Sequence, residues 1–158
     1  MHQRQYNQLG GSGGRFSSDT FFVKVKSTRG NTCTQVFYNR NNYLKAYPMQ
    51  SESQAPETLN ESIHDVGIPN ELHTDGAKVT TFGNWVKICR KFAIKRTIAE
   101  PYSPWQNPAE KGVKLVKQKA SQLMRSTATP LRLWDYAYQY ASEIICHSTS
   151  DMYALEGV

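Results

Sequence analysis

The chain has 158 residues, 39% of them hydrophobic and 20% charged, with a mean hydropathy of −0.61. That composition is globular, and the length suits one domain with a buried core. No apolar run approaches the roughly 18 to 20 residues that cross a bilayer, and Met1 to Gly14 lacks the apolar stretch of a secretory signal. Cys33, Cys89 and Cys146 have no C-x-x-C spacing, and the four histidines show no ligand spacing. This argues against a disulfide scaffold or a structural zinc site and for a reducing compartment, nuclear or cytoplasmic. The net charge of +6 is unevenly spread: residues 1–75 balance 7 basic against 7 acidic side chains, residues 76–125 hold 11 against 2, and residues 126–158 hold 1 against 4. A basic middle suggests one positive face and a polyanionic partner such as nucleic acid, with a merely solvated basic surface as the alternative.

In chain order, the Gln- and Gly-rich residues 1–14 predict a flexible leader, 15–150 the folded part and 151–158 a tail. Phe16 to Val25 is strand-like up to the turn Thr28-Arg29-Gly30-Asn31, Cys33 to Tyr38 is a second strand, and Tyr43 to Tyr47 is a third, ended by Pro48. Three short strands with tight connections make an antiparallel meander. Ala55, Leu59, Ile63 and Val66 form a helical stripe over 51–66, capped by Gly67. Glu71 to Thr74 is extended. Phe82, Trp85, Val86, Cys89 and Phe92 predict a helix over 82–92, and Ile94 to Ile98 a strand. After the polar loop P-Y-S-P-W-Q-N at 101–107, helices are predicted over 108–126 and 131–147. The order β-β-β-α-β-α-β-α-α implies an α/β fold with a mixed five-stranded sheet, half antiparallel and half parallel, flanked by helices.

Three acids fall where chemistry gathers in such a fold: Asp19 in the first strand, Asp75 at the end of the fourth, and Glu110 in the first turn of the helix after the loop. Converging carboxylates without nearby histidine or cysteine suit hard cations such as Mg²⁺, and two ions about 3.5–4 Å apart can drive phosphoryl transfer. Each acid also has an ordinary explanation. Asp19 in S-S-D-T fits a turn or cap, Asp75 before Gly76 fits a D-G turn, and Asn107, Pro108 and Glu110 approximate a capping box.

The segments D-T-F-F at 19–22, K-S-T-R-G-N at 26–31, Y-P-M at 47–49, D-V-G-I-P-N-E-L-H-T-D-G-A at 65–77 and E-P-Y-S-P-W-Q-N-P-A-E at 100–110 together resemble the integrase catalytic core of copia-type LTR retrotransposons, a relative of the retroviral integrase core. The resemblance covers about residues 15–150. It implies an RNase H-like fold, with Asp19, Asp75 and Glu110 as the catalytic acids and ligands of two Mg²⁺ ions, for which Mn²⁺ can substitute. Asp19 would bridge both ions, with Asp75 completing one site and Glu110 the other. The implied reactions are 3′-end processing and DNA strand transfer, with retroelement ends and target DNA as partners. The pattern departs in three places: 34 residues separate Asp75 from Glu110, one fewer than usual; Gly76 stands where Asn is common; and Gly112 occupies an early helical position, where it costs about 1 kcal/mol against Ala. The family's terminal zinc and DNA-binding modules are not present, so the chain reads as an isolated or truncated core.

Lys114 and Lys117 lie four and seven residues after Glu110, on one helix face with it, and Lys111 adds charge beside them. An intrahelical Glu110–Lys114 ion pair is the plain reading, worth about 0.2–0.5 kcal/mol. The basic middle block favours the functional reading, in which Lys111, Lys114 and Lys117 lie against DNA phosphates as in the core the chain resembles. In the preceding loop Tyr102 and Gln106 are candidates to touch a DNA end by stacking and hydrogen bonding, and Trp105 reads as a buried anchor. Trp134, Tyr138, Ala141 and Ile145 form a stripe of core or dimer surface, and the resemblance allows a homodimer on that side. Two further readings keep the fold: a catalytically silent truncated copy that only binds DNA or a partner protein, and an RNase H-type nuclease.

Overall fold

The computed structural model describes residues 14–40, 43–100 and 107–155, with side chains up to residue 146. Five strands form one sheet: β1 (Arg15–Phe22), β2 (Cys33–Asn39), β3 (Tyr43–Met49), β4 (Glu71–Thr74) and β5 (Lys95–Ile98). Their order is β3-β2-β1-β4-β5; β1, β2 and β3 are antiparallel, and β4 and β5 join β1 in parallel. The helices are α1 (Ala55–Val66), α2 (Lys78–Thr81), α3 (Asn84–Lys91), α4 (Ala109–Ser126) and α5 (Trp134–Leu155). The mixed sheet and its helices match the expected architecture.

Side chains alternate across the strands, so each face of the sheet builds its own core. On one face Phe16, Phe37, Met49 and Leu72 pack against Leu59 and Ile63 of α1 and Trp85 and Cys89 of α3. On the other, Phe21, Val36, Tyr38 and Leu44 pack against Val116 and Ala120 of α4 and Ala141 of α5. Tyr138, Ala141 and Ile145 of the α5 stripe join this second core, where Tyr138 meets the Phe21 ring edge-on at 5.3 Å, and the buried Trp134 packs against Tyr138 at 5.4 Å. The Trp134 indole also donates to the Val25 carbonyl at 2.5 Å, fastening α5 to the segment after β1.

Four local expectations are corrected. Pro48 does not end β3 but pairs with Thr34 inside it, which an edge strand permits because a missing N–H costs no ladder bond there. β1 stops at Phe22, short of Val25. Phe82 is outside the helical face: it is 68% exposed, between the short α2 and an α3 that starts only after Gly83, whose φ of +68° breaks the helix. The basic block is not one face either. Lys87, Arg90 and Lys91 ride on α3 and Lys111, Lys114 and Lys117 on α4, on opposite sides of the sheet, because the chain changes layer between β5 and α4.

Candidate active site

Asp19 and Asp75 are brought together by strand register. The parallel β1–β4 pairing runs Arg15 with Glu71, Phe16 with Leu72 and Ser17 with His73. Asp19 and Asp75 each come two residues later, so they continue the register side by side and share the face that α4 covers. Glu110 arrives from α4. The Asn107 side-chain amide donates to the Ser18 carbonyl at 3.4 Å, while its Oδ1 accepts the Ala109 N–H at 3.1 Å. One side chain thus ties the start of α4 to the residue before Asp19. Gly112 allows the close approach of the helix: a Cβ there would stand 3.0 Å from Cβ, Cγ and Cδ1 of Tyr38 on β2.

The electrostatics record the convergence. Burial, then the neighbouring Asp75 charge, then that of Glu110 push the Asp19 carboxyl up to about 6, and a hydrogen bond shared with Asp75 adds to the rise. The Thr20 N–H, donating to Asp19 Oδ1 at 2.9 Å, opposes it. Asp75 also does the turn work expected of it, since its Oδ1 accepts the Ala77 N–H at 3.1 Å. Glu110 does not complete a capping box; its exposed carboxylate accepts no hydrogen bond from a described residue and forms no ion pair with Lys114. Beneath Asp19, on the opposite face, a buried network stiffens β1. Gln35 Nε2 donates to Ser18 Oγ at 2.6 Å, Ser18 Oγ donates to the Val36 carbonyl at 2.8 Å, and the Thr20 hydroxyl donates to Gln35 Oε1. The sequence signal for it is Gln35, a long polar side chain in the middle of the buried strand β2.

Lys111, Lys114 and Lys117 are exposed on α4. The Lys117 ammonium lies 4.8 Å from the centre of the Phe21 ring, two residues beyond Asp19 on the same face. Tyr102, Trp105 and Gln106 lie outside the described residues.

The donor set fits a hard divalent cation in chemistry: Asp19 and Asp75 offer adjacent carboxylate oxygens, and neither forms an ion pair with a described residue. The mutual repulsion felt by Asp19 is what a bound cation would relieve. Among the described residues, no three such side chains are drawn close enough to hold an ion as they stand. Glu110 is within electrostatic reach of the pair rather than in contact.

No protein-family model and no curated protein matches the sequence. Solved structures do. A chain of the simian T-cell lymphotropic virus intasome in complex with PP2A regulatory subunit B56 gamma is similar over 82% of this chain and 47% of that one, with a TM-score of 0.70 and 19% identity. The HTLV-2 integrase catalytic core domain in complex with magnesium is similar in its dimeric form, with a TM-score of 0.64, 16% identity and coverage of 82% and 83% of the two chains. Its trimeric form gives 0.65, 14%, 82% and 82%. The fold is the RNase H-like fold of retroviral integrase cores. The chain spans about half the length of the intasome chain and most of the isolated HTLV-2 core.

Proposed function

We propose that the chain is an integrase catalytic core: a Mg²⁺-dependent polynucleotidyl transferase that processes the 3′ ends of retroelement DNA and joins them to target DNA, as its copia-type resemblance implies. The observation that carries this reading is the Asp19–Asp75 pair with Glu110 in electrostatic reach, on the fold of integrase cores. The HTLV-2 core was solved with magnesium and in a dimeric form, which supports divalent metal and a homodimer for this chain as well.

In this reading Asp19, Asp75 and Glu110 are the residues that would hold the divalent cations. When bound, the ions supply Lewis-acid activation of an attacking oxygen and stabilise charge on the leaving one. The chain's own residues do the rest. Asp19 must be ionised to accept a cation, so its elevated carboxyl ties metal loading to pH. Asn107 and Gly112 hold Glu110 in register with β1. Lys111, Lys114 and Lys117 neutralise phosphates of the bound DNA, and Tyr102 and Gln106 meet its end. In processing, water forms the new P–O bond; in strand transfer a DNA 3′-hydroxyl does. In both, a P–O3′ bond breaks and its oxygen leaves as a hydroxyl, so alignment is most of the protein's task. The setting is intracellular, in nucleus or cytoplasm.

The test is strand transfer and disintegration on oligonucleotides with Mg²⁺ or Mn²⁺. Joined products that vanish in Asp19→Asn, Asp75→Asn and Glu110→Gln support the reading. Activity that survives any of these changes refutes the site. DNA binding without turnover in the wild type identifies a silent copy, and cleavage of RNA–DNA hybrids without joining identifies a nuclease.

A further inference from the structure

Next to the acid pair, on the same face of the sheet, lies a recess of about 220 Å³ lined by Arg15, Ser17, Tyr38, Asn39, Arg40 and Pro108. Ser17 and Arg15 precede Asp19 by two and four residues on β1 and share its face. At about 3.4 Å per residue the recess therefore begins about 7 Å from Asp19. Pro108 stands two residues ahead of Glu110, so the recess and the acids are neighbouring compartments along the same two elements.

The lining is cationic and contains no acid. Arg40, directly after β2, is exposed and forms no ion pair with a described residue. Arg15 engages Glu71 through Nε at 3.3 Å, and its carbonyl accepts a bond from Asn39 Nδ2 at 3.0 Å, which fixes the backbone of the recess floor. Two arginines lining one concave surface, Arg40 without an ion pair to a described residue and Arg15 paired to Glu71 through Nε, suit a phosphate in charge and in fork geometry. The recess also answers an electrostatic problem. A DNA strand whose reacting phosphate approaches three carboxylates meets strong repulsion, and cationic contacts on the adjoining phosphates must offset it. The lysines of α4 extend from Glu110 in one direction; Arg15 and Arg40 lie in the other.

The geometry points to this recess as the seat of a DNA backbone phosphate neighbouring the one that reacts, held by Arg40 and Arg15; this rests on the proposed DNA-joining function. Arg40 is the residue to change, because it is exposed and supports no described contact in the core. Binding of a labelled DNA duplex with a short single-stranded end is measured by fluorescence anisotropy across salt concentrations, with EDTA present so that turnover plays no part. Arg40→Ala lowers the salt slope by about 1, and Arg40→Lys restores it. Duplexes carrying one neutral methylphosphonate at successive positions then locate the contact. At one position the wild type loses affinity and Arg40→Ala loses no more. An unchanged slope in Arg40→Ala, or equal losses in both proteins at every methylphosphonate position, overturns the assignment. An altered slope in a chain that joins no DNA in Mg²⁺ leaves the phosphate seat standing and removes the integrase reading instead.

Discussion

The Asn107 side chain hydrogen-bonds the main-chain carbonyl of Ser18, so the residue that opens α4 is fastened to the residue that precedes Asp19. Two acids from remote parts of the chain are thereby held at a fixed offset by one amide. Asn107→Asp keeps the acceptor for the Ala109 N–H and loses the donor toward Ser18. Because the new carboxylate is buried and faces the Ser18 carbonyl, the expected result is a loss of about 1–3 kcal/mol in stability, with a fall in turnover of about tenfold or more and a weaker Kd for DNA from the added negative charge. Thermal unfolding, single-turnover strand transfer and anisotropy measure the three separately. Turnover equal to the wild type would show that the tie is structural only.

The carboxyl of Asp19 is pushed up to about 6 by burial and by Asp75 and Glu110, against an ordinary value of 3.8. A carboxyl raised in the folded state contributes stability that is complete below pH 3.8 and is lost as the pH rises through 6. At pH 7.5 the metal-free wild type therefore carries an ionised Asp19 at a cost of about 1–3 kcal/mol. Asp19→Asn removes that cost, and the metal-free variant unfolds several degrees higher, at about 2–4 °C for each kcal/mol. Mg²⁺ raises the wild-type Tm, more at pH 7.5 than at pH 5, and leaves the variant unmoved. Calorimetry at the two pH values, with and without Mg²⁺, checks both statements. A variant less stable than the wild type in EDTA at pH 7.5 contradicts them.

Gly112 read as a blemish in the sequence, since glycine early in a helix costs about 1 kcal/mol. The structure gives the reason: Tyr38 fills the space where a side chain would be. Gly112→Ala gains helix propensity but forces the tyrosine ring or α4 to move, and overpacking costs about 1–3 kcal/mol. The expected sum is a modest loss of stability with a larger loss of turnover, because Glu110 moves with the helix. In a Tyr38→Ala background the same substitution is neutral or stabilising, so the double-mutant cycle in Tm and in strand transfer is strongly non-additive.

Most of the architecture was legible because alternation and helical periodicity are local signals. Phe16 and Phe21 already lie on opposite faces of β1 by parity, and those faces are the two cores. What was not legible depends on which elements become neighbours. Pro48 is acceptable only because β3 is an edge, and Phe82 leaves its helix only because Gly83 turns. The positive block divides because the chain changes layer after β5. Within the site, the nearness of Asp19 and Asp75 follows from a strand register that no spacing count reveals. The roles of Asn107, Gln35 and Gly112 depend on the partners Ser18 and Tyr38, which are distant in sequence.

Lys114 and Lys117 are both exposed on α4, yet they are not equivalent, because the Lys117 ammonium lies over the Phe21 ring at 4.8 Å. Lys114→Ala is expected to leave the Tm unchanged, whereas Lys117→Ala loses the cation–π contact, worth about 0.5–1 kcal/mol at an exposed site. In DNA binding they behave alike if each meets one phosphate: either substitution lowers the salt slope by about 1, and the double variant lowers it by about 2. Lys117 is held over the Phe21 ring and would lose less freedom on meeting a phosphate, so its loss is expected to be the more damaging at low salt. Lys117→Arg keeps both the ring contact and the charge, and restores slope and Tm together. Anisotropy titrations over a range of salt, paired with thermal unfolding of the wild type and the four variants, measure all of this. Slopes equal to the wild type in both single variants and in the double variant remove α4 from the DNA path and leave its lysines as solvated surface charge.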